Sequence, residues 1–369
     1  MKFKILWISL IYVSCQSSNN EPQFSLLWEY VYTQSTESLS LVRTPPTILD
    51  QEYLLIAPDF QISIISRRDG KLQRTVPLFG ESYMAQIEPL IESTSLFLKE
   101  HKNNTLGRIN LNSGLIMWEV EAPEELFHWS NDAFDNEFIY LSSNYAKIFK
   151  YSKDGNFINE YNLMNYGIKT DARSIRVLNN QLIFSHRWRF TEDCPDGYCG
   201  RVISIDKETE EVLWEYRTDK GGYVYEPILL EEGIIYAGVT DGPGEFVALD
   251  ATNGEVIWQA SGVVSRSYTL TDSMVLVQGG VTLRALDKFT GEELWNTGLK
   301  FGGGDGGANI TYLNGYVYHV HSGSMRILKA DTGEIVHSEV AMSGYLITAG
   351  DDKIFVQGDY SLRAYTAWK

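Results

Sequence analysis

The glycine-rich segment FGGGDGGAN at residues 301–309 contains the residue types of a phosphate-binding loop. Its Gly302, Gly304 and Gly307 satisfy the spacing G-x-G-x-x-G, which binds a dinucleotide when it connects a strand to a helix. The next segment, ITYLNGYVYHV, alternates apolar and polar residues and therefore predicts a strand in place of the helix. We interpret residues 301–309 as a loop that enters a strand, in which Asp305 could contact a metal or a ligand.

His319 and His321 are the histidines whose spacing could bind a metal. In a strand, the sequence HVH directs both imidazoles to the same face. A third histidine or a carboxylate is missing nearby in the sequence, so we expect ordinary surface or channel histidines. The chain also lacks the sequences H-E-x-x-H, G-x-S-x-G, C-x-x-C-H and the P-loop. The sequence therefore predicts no catalytic residue and no metal site.

The N-terminal sequence MKFKILWISLIYVSC has the pattern of an export signal. Lys2 and Lys4 precede an apolar run over residues 5–13, which is too short for a membrane-spanning helix. The small residue before Cys15 resembles the cleavage site of a bacterial lipoprotein signal. We therefore expect residues 1–14 to be a lipoprotein signal peptide and Cys15 to carry the lipid. The alternative is an ordinary signal peptide with an incidental cysteine.

The residues after Cys15 predict where such a lipoprotein would reside. Residues 15–23 are polar and suit a tether between a lipid and a domain. Gln16 is not the Asp of the inner-membrane retention signal. We therefore expect an exported protein of the outer membrane, on its periplasmic or its cell-surface side.

The remaining cysteines, Cys194 and Cys199, lie in the sequence CPDGYC. In an oxidising compartment such a pair predicts a disulfide, because Pro-Asp-Gly supplies a turn between the thiols. Zinc binding would need two more ligands, of which only His186 is near in the sequence. A redox-active pair would more often have the spacing C-x-x-C. The short loop would contribute only about 2 kcal/mol, so its predicted effect is to pin a loop.

The composition argues against a nucleic-acid partner and for strands. The chain has 31 Lys and Arg against 48 Asp and Glu, a formal net charge of −17, and no basic cluster that could neutralise phosphates. Aromatic residues make up 13% of the chain, which also has 31 glycines. These residues favour strands and turns over helices.

A repeated phrase predicts the architecture. SIDKETEEVLWE at 204–215, ALDATNGEVIWQ at 248–259 and ALDKFTGEELWN at 285–296 share one pattern. Their central turns recur about every 42 residues, the period of a β-propeller with four strands per blade. The turn pairs are Asp69-Gly70, Ser113-Gly114, Asp154-Gly155, Thr209-Glu210, Asn253-Gly254, Thr290-Gly291 and Thr332-Gly333. The longest interval contains HRWRFTEDCPDGYCGR, which we interpret as a hairpin insertion.

The two ends of the chain complete the count of blades. The C-terminal LITAGDDKIFVQGDYSLRAYTAWK supplies three strands, and FSLLWEYVYTQ near the N-terminus is a fourth strand without a blade. Joining them would close the ring. The sequence therefore predicts an all-β, eight-bladed propeller of four-stranded antiparallel blades, formed by one domain over residues 24–369.

The spacing of Ala248, Gly254 and Trp258 resembles the tryptophan-docking motif of eight-bladed propellers of the quinoprotein family. There the small residue and the glycine leave room for an indole of a neighbouring blade, whose N–H finds a main-chain acceptor. Gly291 occupies the same position in the following repeat. The tryptophan position holds Trp28, Trp118, Trp214, Trp258 and Trp295. Arg74, Asn159 and His337 occupy it elsewhere, where we expect docking to be weak or replaced.

This repeat is similar to that of two kinds of protein. Pyrroloquinoline-quinone (PQQ) dehydrogenases hold the quinone and calcium at the propeller centre, and many carry two adjacent cysteines. Lipoproteins of the BamB type are non-catalytic components of outer-membrane assembly. This chain has no adjacent cysteines and one sizeable insertion, so it resembles the second kind more. The resemblance implies a scaffold without a cofactor, which binds membrane-associated proteins through blade tips and edges.

The alternative functions are a small-ligand or glycan-binding propeller and a small PQQ-dependent dehydrogenase. A glycan would bind to exposed Tyr and Trp side chains, whereas a small ligand or a quinone would lie near the first strands. The aligned residues there are Arg43, Gln86, His128, Arg173, Glu226, Arg266 and Asn309. Arg43, Arg173 and Arg266 could together hold an anion such as a quinone carboxylate. Propeller channels are generally lined by hydrated polar side chains, which is the interpretation we favour.

Overall fold

The computed structural model describes the chain from residue 24 to residue 369, with gaps. The described residues are 24–32, 45–56, 61–77, 90–100, 104–126, 130–168, 172–191, 194–218, 222–224, 227–240, 244–263, 265, 267–299, 309–321, 323–340, 346–358 and 360–369. They form eight antiparallel sheets, each a blade of one propeller. Seven sheets have four strands, and the fifth has five because its first strand is split in two.

The strands are numbered along the chain, and each blade is given from its first strand to its last. Blades 1 and 2 contain β2 (Thr47–Ile48), β3 (Tyr53–Ile56), β4 (Gln61–Ser66), β5 (Leu72–Pro77), β6 (Leu90–Glu92), β7 (Ser95–Glu100), β8 (Thr105–Asn110) and β9 (Ile116–Glu121). Blades 3 and 4 contain β10 (Ala133–Phe134), β11 (Phe138–Ser142), β12 (Lys147–Ser152), β13 (Phe157–Asn162), β14 (Ala172–Leu178), β15 (Gln181–Thr191), β16 (Cys194–Asp206) and β17 (Val212–Arg217).

Blades 5 to 8 repeat this order. Blades 5 and 6 contain β18 (Tyr223–Val224), β19 (Leu229–Glu231), β20 (Ile234–Thr240), β21 (Glu245–Asp250), β22 (Val256–Ser261), β23 (Ser267–Leu270), β24 (Met274–Gly279), β25 (Thr282–Asp287) and β26 (Glu293–Gly298). Blades 7 and 8 contain β27 (Asn309–Leu313), β28 (Tyr316–His321), β29 (Ser324–Lys329), β30 (Ile335–Val340), β31 (Leu346–Gly350), β32 (Lys353–Gln357), β33 (Ser361–Thr366) and, from the N-terminus, β1 (Leu26–Val31). The eight-bladed all-β fold predicted from the repeat is confirmed.

The second and third strands of each blade form the core. β20 and β21 are buried along almost their whole length, as expected for strands covered on both faces, which read as apolar runs. The fourth strands lie outermost. β22 and β26 expose most of their side chains and bury mainly their tryptophan. Apolar clusters join neighbouring blades, such as the one that contains Tyr236 of blade 5 and Val275 of blade 6.

The turn between the third and fourth strands has the same construction in successive blades. In blade 6 the Asp287 carboxylate accepts the main-chain N–H groups of Phe289 and Thr290, at 2.9 and 2.8 Å. The N–H of Thr290, the larger effect, and that of Phe289 lower the pKa of Asp287. Gly291 then takes a left-handed conformation, with φ of 73°. A residue without a Cβ adopts this conformation without strain.

The N-terminal strand lies in the last blade. β1 pairs antiparallel with β33, and Trp28 lies opposite Ala364. Across this pair the Arg363 guanidinium donates to the Glu29 carboxylate at 2.8 Å. The first and last described segments of the chain thus share one sheet.

The predicted insertion is a hairpin that extends blade 4. β15 and β16 continue beyond the neighbouring strands, and their pairing sets Trp188 opposite Cys199 and Thr191 opposite Cys194. The side chains of the two cysteines lie outside the described residues, so the disulfide stays a prediction.

Residues 1–23, with the predicted signal peptide, the lipidated Cys15 and the tether, also lie outside the described part of the chain. A single turn of 3₁₀ helix, Leu163–Tyr166, is the helical element of the described residues. Within those residues, no helix has the length and apolarity needed to cross a membrane.

Candidate functional site

Each of the five indoles of the docking motif lies against the glycine of the next blade. The pairs are Trp28 with Gly70, Trp118 with Gly155, Trp214 with Gly254, Trp258 with Gly291, and Trp295 with Gly333. The indole N–H donates to a main-chain carbonyl two or three residues before that glycine, at 2.7 to 3.1 Å. The small residue of the motif does not face the same indole as the glycine. Ala248 lies opposite Trp258 of its own blade, whereas Gly254 contacts Trp214 of the preceding blade.

Two blades replace the missing tryptophan with another donor. The Arg74 guanidinium donates to the Leu111 carbonyl at 2.6 Å, and its side chain lies against Gly114. In blade 3, where Asn159 occupies the tryptophan position, the neighbouring Tyr161 is buried and its hydroxyl donates to the Lys207 carbonyl at 3.1 Å.

The joint between blades 7 and 8 is built from aromatic rings. His337, at the tryptophan position of blade 7, lies with its ring centre 5.0 Å from that of Trp368. Phe24 stacks on Tyr365 at 4.7 Å and reaches His337 at 5.6 Å. These contacts hold blades 7 and 8 together, and they do not indicate a catalytic or ligand-binding role.

The predicted channel arginines are described in part. Arg173 is half-buried on β14, and its carbonyl accepts the N–H of Asn131 at 3.0 Å. Asn131 also forms a parallel bridge with Ser174, which joins blade 3 to blade 4. Arg43, Arg266, Gln86, His128 and Glu226 and the side chain of Asn309 lie outside the described residues. An anion site at this position therefore stays a prediction.

Buried polar side chains recur at the fifth position of several second strands, a feature that the sequence did not predict. They are Lys99, Ser142, Ser185, Gln278 and Gln357. The Lys99 ammonium lies 2.5 Å from the Asp132 carboxylate and donates to Ser130 Oγ at 2.7 Å. Burial lowers the pKa of Lys99, and the charge of Asp132 opposes this effect. Each polar residue follows apolar residues of its own strand, so its type alone would have predicted an exposed position.

A groove of about 690 Å³ lies above blade 3, at the end where the second strand passes into the third. One wall is the segment 122–126, the second is the loop 143–146, and the third is the 3₁₀ turn that contains Met164. Tyr145 and Met164 are 57% and 58% exposed. Two large apolar side chains are thus presented to solvent beside a concave surface.

Hydrogen bonds fix the walls of this groove. The Asn104 side chain donates to the carbonyls of Ala122 and Glu124, at 2.9 and 2.6 Å, and accepts the N–H of Leu126 at 2.8 Å. The N–H of Leu163 donates to the Ala146 carbonyl at 2.8 Å, which ties the 3₁₀ turn to the loop. The groove is therefore formed before any partner binds.

The rim of the groove is acidic. Lys147 Nζ lies 2.6 Å from Glu124 Oε1 and 3.0 Å from Glu160 Oε1. The hydrogen bond to Glu124, followed by that to Glu160, raises the pKa of Lys147. Glu125 also lies at the groove, and the Lys147 ammonium is paired with two carboxylates, those of Glu124 and Glu160. The lysine that reaches Glu124 comes from another strand, β12, so the local sequence around Glu124 could not predict this ion pair.

His319 and His321 lie on one face of β28, as the spacing predicts, but they are 4% and 8% exposed. They are therefore buried, where the sequence had suggested surface or channel positions. Among the described residues, no group of three or more His, Cys, Asp and Glu side chains is arranged to hold a metal ion.

Known structures with this architecture include proteins of different activities. BamB from Moraxella catarrhalis has a TM-score of 0.69 at 12% identity, over 93% of this chain and 99% of that one. The quinohemoprotein alcohol dehydrogenase from Comamonas testosteroni has a TM-score of 0.70 at 11% identity, over 93% and 76% of the two chains. The computationally designed protein Ika8 has a TM-score of 0.67 at 12% identity, over 88% and 96%. At these identities the likeness shows the fold alone.

Comparison with models of protein families identifies a family, which the likeness to known structures does not. None of the curated proteins matches the chain. A family model described as outer membrane protein assembly factor BamB matches residues 20–259 and 188–282. Because these residues cover more than half of the chain, the chain belongs to the family of the outer membrane protein assembly factor BamB.

Proposed function

We propose that this chain is a non-catalytic, lipid-anchored propeller that binds another protein at the outer membrane. Membership of the BamB family supports a role in outer-membrane assembly. The export pattern that ends at Cys15 supports the anchor and the location. The groove above blade 3 is the observation that carries the proposal.

The groove has the composition of a protein-binding surface. Tyr145 and Met164 offer apolar contact area, and aromatic residues and methionine are enriched where proteins bind one another. The acidic rim around Lys147 would favour a partner that carries a basic side chain beside an apolar one. A preformed surface also loses little conformational entropy on binding.

Affinity capture from the membranes of the organism that produces the protein tests this proposal. We expect Met164→Glu to weaken capture of the partner by roughly 30-fold, because loss of a buried apolar anchor costs about 2 kcal/mol. Leu213→Glu is the matched control, since Leu213 is equally apolar and is exposed on β17, outside the groove. Equal capture by wild type and both variants would show that the partner binds elsewhere.

The alternative is a propeller that binds a small ligand, including PQQ with calcium. Such a site needs several polar side chains that converge on one ligand. Of the three candidate arginines, Arg173 is the one in the described part of the chain, and its neighbour across the blade joint is Asn131. Thermal stabilisation of the protein by PQQ plus Ca²⁺ would favour this alternative.

A further inference from the structure

A small cavity lies between blades 6 and 7, apart from the groove above blade 3. Its volume is about 10 Å³, which is the size of one water molecule or one ion. Its wall consists of Gln278, Gly280, Leu299, His319, His321, Ser324 and Arg326. Residues of both blades thus enclose a space for a single small occupant.

Several polar atoms of this cavity are buried without a hydrogen-bond partner among the described residues. They are Nε2 of His319, both ring nitrogens of His321, and Oε1 of Gln278. Gln278 is 2% exposed, and its Nε2 donates to the Gly280 carbonyl at 3.1 Å, which leaves Oε1 as the unpartnered amide atom. Because an unpaired buried polar atom is costly, an occupant that contacts these atoms would stabilise the site.

The unpartnered atoms suit a cation of borderline softness. Neutral imidazole nitrogens bind zinc, copper and nickel ions, and an amide oxygen can add a further contact. The ring centres of His319 and His321 are 6.1 Å apart, and the two ring planes are inclined by 20°.

Arg326 is the positive group at this cavity. It lies opposite His319 on the neighbouring strand, and its guanidinium donates to the Leu299 carbonyl. Its charge would weaken the binding of a cation and strengthen the binding of an anion. Replacing Arg326 therefore reveals the sign of the charge that the cavity accepts.

We propose that this cavity binds a divalent transition-metal ion through His319, His321 and Gln278. The site is independent of the proposed protein partner. Neither ring nitrogen of His321 has a hydrogen-bond partner among the described residues. Its replacement by glutamine should therefore remove a ligand while the blade stays folded.

Zinc binding to the chelator-treated protein, produced without a histidine tag, tests the proposal. We expect calorimetry and metal analysis to give one Zn²⁺ per chain. His321→Gln should weaken binding by at least about tenfold, since replacing even a residue that only hydrogen-bonds to a metal ligand typically costs tenfold or more. His337→Gln is the matched control, because His337 lies on the outer strand of blade 7, outside the cavity. The parent protein and both histidine variants should also carry Cys194→Ser and Cys199→Ser, so that thiols do not bind the zinc.

Arg326→Met supplies the second measurement. Removing this charge should tighten zinc binding if the cavity accepts a cation. The proposal is overturned if zinc does not bind, which would assign the cavity to water, or if zinc binds equally well to His321→Gln. It is also overturned if sulfate or chloride stabilises the protein and Arg326→Met abolishes that effect.

Discussion

At the scale of single residues, the docked tryptophans and their glycines explain why one phrase recurs along the chain. Trp258 lies where a Cβ on Gly291 would be only 2.5 Å from the indole carbon Cε3. Gly291 also has a φ of 73°, which L side chains rarely adopt. The position therefore excludes a side chain for two separate reasons, conformation and contact.

The free-energy costs of the conformation and of the contact can be measured separately. Gly262 has a φ of 76° but nothing within 4 Å of an added Cβ, so Gly262→Ala should lose only the conformational contribution, about 1 kcal/mol. Gly291→Ala should lose a further 1–3 kcal/mol or so, because the methyl group would displace the indole. Urea unfolding of both variants gives the difference. Equal losses would mean that the joint between blades adapts to the methyl group.

The sequence predicted the tryptophans because an indole, a glycine and a fixed spacing leave few alternatives. It could not predict Tyr161 as the replacement, since the tyrosine lies two positions after Asn159 in a strand of ordinary composition. The groove residues Tyr145 and Met164 gave no signal either. Their exposure depends on the path of two connections, which no periodic pattern specifies.

At the scale of elements, the joints between blades combine an ion pair with the docking hydrogen bond. The residue after the third strand is a cation in four blades, and it reaches a carboxylate of the preceding blade. The pairs are Arg67 with Asp351, Lys153 with Glu92, Lys207 with Asp135, and Lys288 with Glu231. The carbonyl of the same residue accepts the docked tryptophan or tyrosine.

One of these carboxylates shows how such a joint depends on pH. Burial alone would raise the pKa of Asp135, but hydrogen bonds from Lys207 and from the N–H groups of Glu137 and Phe138 lower it to about 2. The stabilisation it contributes is therefore complete above the unfolded value of 3.8. It is lost as the pH falls from there towards 2.

The closing strand β1 has the largest effect predicted for any element. A chain that begins at residue 45 would leave β33 as an unpaired edge and Gly70 without Trp28. We expect such a chain to unfold at a lower temperature and to self-associate through the free edge. A synthetic peptide of residues 24–32 should restore the unfolding temperature, and a scrambled peptide should not. An unchanged unfolding temperature without β1 would contradict the role assigned to this strand.

At the scale of the whole molecule, the two ends of the blades have different properties. The glycine turns and the ion pairs between blades lie at the end where the third strand passes into the fourth. The groove, the extended hairpin and the histidine cavity lie at the opposite end of the strands. The repeated end was predictable because every blade contributes the same residues to it. The irregular end was not, because each blade contributes a different connection.

The proposed function places protein binding at the irregular end, in the groove above blade 3. The most direct measurement places a photo-crosslinking amino acid at Tyr145, and for comparison at Leu213, in the full-length protein in its native cells. We predict a discrete adduct with one membrane-associated protein from Tyr145 and none from Leu213, and we expect Met164→Glu to abolish it. Adducts of equal yield from both positions, or none from Tyr145, would contradict the claim.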